Sequence, residues 1–292
     1  MSFFKRLSFF ILFLTCFSTF LMAKAKPVEV TVSSKRLNIG DVLIVSMYSD
    51  RPVERSSISF TGRSFSFFKT HLNEYRYVAY IAAARRIKEK SYPLTVYVKF
   101  KDGGSFKDKV DIKVIRPDFE EGHVTLSKSK NNLSKSNDRL VNEAQIIGKR
   151  YNLKTYKRYF SGKFIRPAAG RVSSEFGKVR VYNNSYKRSH AGLDIANEEG
   201  TLVKASNSGK VVYSDYLPVH GHTVMIDHGR GVVSIYNHLM KRLVKTNAFV
   251  KKGQHIGRIG QTGVATGPHL HWGISVQNVR IDPLYLTKQK LY

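Results

Sequence analysis

Cysteine is nearly absent from this chain. The only one, Cys16, lies in an apolar stretch near the start, so the rest can form neither a disulfide framework nor a thiolate metal site. Any metal held there must be bound by nitrogen and oxygen. Acidic residues are also scarce: 21 Asp and Glu stand against 49 Lys and Arg, giving a formal charge of +28. The excess is distributed along the chain rather than gathered in a tail, which suits a surface that meets a large polyanion. Long hydrophobic runs are missing apart from one near the start. What remains is 42% hydrophobic and 12% aromatic, which excludes a disordered polymer and leaves, at 292 residues, room for two domains with real cores.

The one apolar run belongs to an export signal predicted over residues 1–25. Lys5 and Arg6 form a basic head, residues 7–22 are largely apolar, and Ala23-Lys24-Ala25 ends in the small-x-small pattern of a cleavage site. The run falls short of the ~20 residues a membrane span needs. Phe13-Leu14-Thr15 before Cys16 does not resemble a lipid attachment site. The expected compartment is the periplasm, with the cell surface and secretion as alternatives.

Residues 26–118 read as short strands: "VEVTV" alternates strictly, followed by "DVLIVSMY", "YRYVAYIA", "YPLTVYVKF" and "KVDIKVI", with "KDGG" at 101–104 as a hairpin turn. This predicts an immunoglobulin-like β module without a catalytic constellation. Residues 119–163 read as a linker. Its first part, 122–137, is rich in Ser, Lys and Asn, and the following "DRLVNEAQIIGKRYN" predicts one helix facing a neighbour through Leu140, Val141, Ala144 and Ile147. Residues 164–292 form a second β domain, punctuated by fourteen of the chain's 21 glycines between Gly170 and Gly273. The fold class expected is thus mainly β, with a helical linker between the modules.

Eight of the ten histidines fall in the second domain. "TGPHLHWGI" places His269 and His271 two apart among strand-like neighbours, so both side chains point to one face. "SHAGLDIA" places His190 four residues before Asp194, with Gly192 between them marking a turn that runs into a strand. Without cysteine, a catalytic zinc site needs three His, Asp or Glu ligands and one open position. His190, Asp194 and one histidine of the 269/271 pair supply that count. The other histidine of the pair, and His238 in "YNHL", are then free to handle protons. Spacing alone leaves the order of His269 and His271 open. His220 and His222 in "VHGH" read as loop residues bordering a cleft, and His228 and His255 as turn and packing residues.

The C-terminal half resembles the lysostaphin or LytM-type zinc metallopeptidases, which cut the peptide part of peptidoglycan. The similarity runs from "GRVSSEFG" through "HAGLDIA", "GTLVKASNSGKVV", "TVMIDHGRGVVSIYNHL" and "VKKGQHIGRIGQTGVATGPHLHWGI" to "DPLYL". It implies a compact antiparallel β fold with a groove across one sheet and a single zinc ion held by His190, Asp194 and His271. It further implies that His269 is the general base and that His238 polarises the water or the developing oxyanion. Asn237 and His222 depart from many members, which bears on substrate preference rather than catalysis. The implied substrate is peptidoglycan peptide. A non-catalytic wall-binding or amidase-activating module of the same fold is the alternative, although such members typically lose ligands that this chain keeps. The basic surface suits anionic envelope polymers. No helix-turn-helix, RNA-recognition or zinc-finger pattern accompanies the charge, so nucleic acid is not an expected partner. By analogy with relatives, the N-terminal region is expected to occlude the groove.

Overall fold

The computed structural model describes residues 26–70 and 75–291. The predicted export signal, Cys16 and His71 lie outside the described residues. Among the described residues no helix is long and apolar enough to cross a membrane.

The N-terminal module is a sandwich of two sheets. One orders Val28–Val32, Leu43–Ser49, Arg76–Ile81 and Phe68–Lys69; the other orders Arg36–Asn38, Ser105–Ile115, Lys90–Phe100, Val53–Phe60 and Arg63–Ser66. Side-chain alternation drives this arrangement. In Lys90–Phe100 the inward residues Leu94, Val96, Val98 and Phe100 are buried, while Tyr97 and Lys99 face water. The predicted turn at 101–104 closes the longest hairpin, with Gly103 at φ 90° where a side chain would be strained.

The C-terminal module is built on a ten-stranded antiparallel sheet. Its main path runs Arg171–Ser174, Leu193–Ala196, His269–Val276, Val232–Arg242, Gly221–Gly229, Gly209–Leu217 and Phe249–Val250. The central strands are buried on both faces, and Trp272 fills the space between them without exposure. The final helix, Pro283–Lys288, begins with Asp282 accepting the Leu284 N–H and Pro283 in its first turn.

The linker is more ordered than its composition predicts. Instead of one helix it holds two, Lys128–Lys135 and Asn137–Tyr151, preceded by a strand, Glu121–Val124, that runs parallel to Val179–Tyr182. A free sheet edge can order any backbone that reaches it, whatever its side chains, so a polar sequence gives no warning. The buried face of the second helix also differs from the predicted one. Val141 and Ala144 are exposed, and the helix instead buries Glu143, Ile147 and Tyr151 against a cluster containing Leu217, Met225, Val233 and Ile235. The pattern misled because the centre of that face is a carboxylate.

The two modules share one hydrophobic core. Polar contacts reinforce the junction: the Gln277 side chain accepts from the Ser66 N–H at 2.6 Å and donates to the Ser66 and Tyr80 carbonyls, and Tyr285 Oη donates to the Val42 carbonyl at 2.8 Å.

Candidate metal centre and active-site cleft

Three strands bring the predicted ligands together. Leu193–Ala196 pairs antiparallel with His269–Val276 so that Asp194 and His271 are direct cross-strand partners, which places their side chains side by side on one face. His190 follows the strand Tyr186–Ser189 and turns back through Ala191 and Gly192, the loop geometry expected for an H-x-x-x-D pair outside a helix. His190 Nε2, Asp194 Oδ1 and His271 Nδ1 lie 2.8 to 3.0 Å from one another. Tetrahedral zinc with bonds of ~2.0–2.1 Å sets its ligand atoms about 3.3 Å apart, so a small outward relaxation accommodates the ion. These three form a group able to hold a metal among the described residues.

The protonation states suit ligation. Burial is the largest influence on His271 and, despite the attraction of Asp194, pulls its imidazole down to about 3, leaving it neutral at physiological pH. Burial alone would raise the Asp194 carboxyl, but the charge of His190 and hydrogen bonds from His190 and His271 hold it well below the usual carboxylate range. His190 Nδ1–H donates to the Glu175 carbonyl at 2.7 Å, which turns Nε2 toward the other ligands. A backbone acceptor of this kind fixes both tautomer and ring orientation.

The other two histidines flank the group. His269 Nδ1–H donates to the Gly267 carbonyl at 2.9 Å, leaving Nε2 3.8 Å from Asp194 Oδ2. His238 Nδ1–H donates to the Thr262 carbonyl at 2.8 Å, and its ring centroid lies 4.8 Å from that of His269. Burial, followed by repulsion from His269 and His271, pushes the His238 imidazole well below its ordinary value. His238 has φ 60°, a left-handed backbone unusual for a residue with a side chain, at a register shift in its pairing with Gly221–Gly229. Bulges of this kind re-aim side chains, and strain of this kind collects at functional sites.

Arg180, Asp194, His238 and His269 line a cleft of about 470 Å³. One wall is the loop that carries Val264, Ala265 and Pro268; the other is the linker, through the strand residues Gly122, His123 and Val124 and through Leu126 just after them. His220 and His222 are not among the cleft's lining residues, and His222 lies in the strand Gly221–Gly229 rather than in a loop. His228 is fully buried, consistent with packing, and His255 opens a short strand.

Sequence reasoning missed two arginines. Arg180 ion-pairs with Asp194 Oδ2 and donates to Ser174 Oγ at 3.3 Å. Arg85, from the N-terminal module, donates to the Ser189 carbonyl at 2.7 Å and to the carbonyl of His190 itself. Neither carries a local signal, because each finds its partner only once distant segments are packed together.

Residues 188–283 match the model of Peptidase family M23. A segment of 114 residues is 40% identical to the peptidoglycan DD-endopeptidase ShyC of Vibrio cholerae, covering 39% of this chain and 26% of that protein. A segment of 115 residues is 41% identical to ShyA of the same organism, also a peptidoglycan DD-endopeptidase, covering 39% of this chain and 27% of that protein. The chain therefore matches only about a quarter of the length of these curated relatives. A crystal structure from Pseudomonas aeruginosa, described as a candidate M23 peptidase, covers 87% of this chain and 95% of its own, with 24% identity and a TM-score of 0.64. That likeness extends the shared fold across both modules, and the similarity to peptidase family M23 lies in the segment 188–283.

Proposed function

We propose that the protein is an exported zinc metalloendopeptidase that hydrolyses DD-peptide cross-links of peptidoglycan. The observation that carries this reading is the convergence of His190, Asp194 and His271, with Asp194, His238 and His269 lining an open cleft. The names of the Vibrio relatives support the substrate class.

Two imidazole nitrogens and one carboxylate make a donor set suited to a single zinc ion. A zinc ion bound there supplies Lewis acidity, polarising a peptide carbonyl and acidifying water to a pKa of about 7. His269 accepts the water proton at Nε2, which faces the ligand group, and returns it to the leaving amine. His238, with its proton held on Nδ1 by Thr262, presents a lone pair at Nε2 and orients the attacking water. This neutral form favours the water-orienting role over direct donation to the oxyanion. Arg180 holds Asp194 through Oδ2, leaving Oδ1 to His190 and His271, and offers positive charge to substrate carboxylates entering the cleft.

Export belongs to the same proposal, supported by the basic head, apolar run and Ala23-Lys24-Ala25 of residues 1–25; the mass of the mature protein tests it. So does partial occlusion of the cleft, supported by the linker strand along one wall. The decisive experiment is mass spectrometry of purified peptidoglycan incubated with zinc-loaded protein, with chelated protein and with His271→Ala. Loss of cross-linked dimers is expected only with the first. Equal digestion by His271→Ala would defeat the enzymatic reading.

A further inference from the structure

The helix Asn137–Tyr151 carries a carboxylate at the centre of its buried face. Glu143 is 1% exposed, and a carboxylate in such a place is disfavoured unless donors surround it. The donors come from the C-terminal module. Glu143 Oε1 accepts from the Val219 N–H at 2.7 Å, and Oε2 accepts from the His220 N–H at 3.2 Å and from His220 Nδ1–H at 2.5 Å.

The segment so anchored holds His238 from two sides. The His220 carbonyl accepts the His238 backbone N–H at 2.9 Å. The Val219 carbonyl accepts the Val264 N–H at 2.9 Å, next to Thr262. Gly221 lies so close to Thr262 that a Cβ there would meet its Oγ1 at 2.3 Å and its carbonyl oxygen at 2.6 Å. Thr262 in turn gives its carbonyl to His238 Nδ1–H at 2.8 Å, its hydroxyl proton to the Leu239 carbonyl at 2.8 Å, and accepts the His222 N–H at 3.0 Å. The contacts that keep His238 in its left-handed conformation therefore end on a loop whose own position is set by Glu143.

We infer that Glu143 is a positioning residue for the active site: it clamps residues 219–222, and through them fixes the backbone and the tautomer of His238. The inference rests on the reading of His238 as the group that orients the attacking water. An apolar side chain in its place would leave the Val219 and His220 N–H groups without this acceptor, so the carboxylate sets where that backbone sits. A carboxylate is required only if the backbone N–H groups of 219 and 220 must be held at a defined place.

The test uses the full-length zinc-loaded protein, comparing wild type with Glu143→Ala and Glu143→Gln. With peptidoglycan as substrate, Glu143→Ala should lose about tenfold or more in kcat while KM stays within about twofold, since misplacement of a catalytic group by a fraction of an ångström acts on the reaction step. Zinc per chain should be unchanged, because none of the three ligands touches Glu143. Glu143→Gln keeps one acceptor and should recover part of the loss. Hydrogen exchange supplies a readout independent of activity. The His238 and Val264 amides should exchange at least about tenfold faster in Glu143→Ala, while Val233 and Ile235 keep their protection. Unchanged kcat, kcat lost in step with zinc, or acceleration spread evenly over the sheet each overturns the inference. Should Glu143→Ala fail to fold, Glu143→Gln is read by the same criteria. Should wild type itself leave peptidoglycan intact, the proposed activity falls, and the exchange pattern alone still decides whether Glu143 holds His238.

Discussion

Gly192 shows how little room surrounds the ligand set. A Cβ at this position would lie 2.4 Å from the Trp272 carbonyl oxygen and 2.9 Å from His271 Cε1. Backbone does not yield cheaply, so Gly192→Ala should displace His271 at a cost of ~1–3 kcal/mol, which corresponds to zinc affinity weakened by about five- to just over a hundredfold. Competition with a chromogenic chelator measures it, and unchanged affinity would show that the close approach has no bearing on the ligands. His228 gives a second prediction. Its Nδ1–H donates to the Ser208 carbonyl at 2.8 Å, and burial pulls its imidazole down to about 4. The folded value lies below the unfolded one of ~6.5, so the unfolded chain takes up the proton first and stability is lost as pH falls from about 6.5 toward 4. Between pH 6.5 and 4.5 wild type should lose about 2 kcal/mol more than His228→Gln, measured by denaturant unfolding at each pH. Equal losses would reject the assignment. At this scale His190, Asp194, His269 and His271 are legible in the sequence, since a strand period and a glycine turn place each pair locally. Arg180, Arg85 and Glu143 are not, because each acts on a segment far away in the chain.

Strands announce themselves in the amino-acid pattern, and the linker does not. Alternation of apolar and polar residues is imposed by a half-buried sheet, so segments such as Lys90–Phe100 and His269–Val276 are visible from side-chain order alone. Pairing of Glu121–Val124 along Val179–Tyr182 depends on backbone hydrogen bonds at an open edge, which leave no mark on side-chain pattern. Occlusion is best tested at the linker, which borders the cleft, since among the described residues none of 26–118 lines it. This changes how occlusion is tested. A chain beginning near Phe164 would remove the wall but also Glu143 and the helix packed on Met225 and Ile235, so its activity would combine two opposite effects. A single contact is cleaner. Lys130 Nζ donates to the Ala265 carbonyl and ties the linker to the opposite wall. Lys130→Ala should raise kcat/KM severalfold on intact sacculi and leave cleavage of small soluble muropeptide dimers within about twofold, since only a bulky polymer meets the narrowed entrance. Equal values on both substrates would remove the linker from any gating role.

The whole molecule is held together across its modules, and its charge acts at the same scale. Arg85 reaches from the N-terminal module to the backbone of a ligand residue, while Gln277 and Tyr285 reach the other way. The accessory module thus braces the side of the sheet that carries the candidate metal ligands. With most of the formal charge of +28 spread over both modules and the linker, the protein would carry a long-range field able to attract a polyanion such as a wall polymer. Such attraction raises local concentration and weakens with salt, whereas chemistry inside the cleft is set by contacts shorter than the Debye length, which is ~10 Å at 0.1 M and ~3 Å at 1 M. Raising NaCl from about 0.05 to about 0.5 M should therefore release most of the protein from purified sacculi in a co-sedimentation assay. Turnover of a soluble muropeptide dimer should change by less than about twofold over the same range. Retention on sacculi at high salt would mean that a specific contact, rather than net charge, holds the enzyme on the wall, and a parallel fall in both measurements would place the sensitivity in the cleft, at the Arg180 ion pair with Asp194.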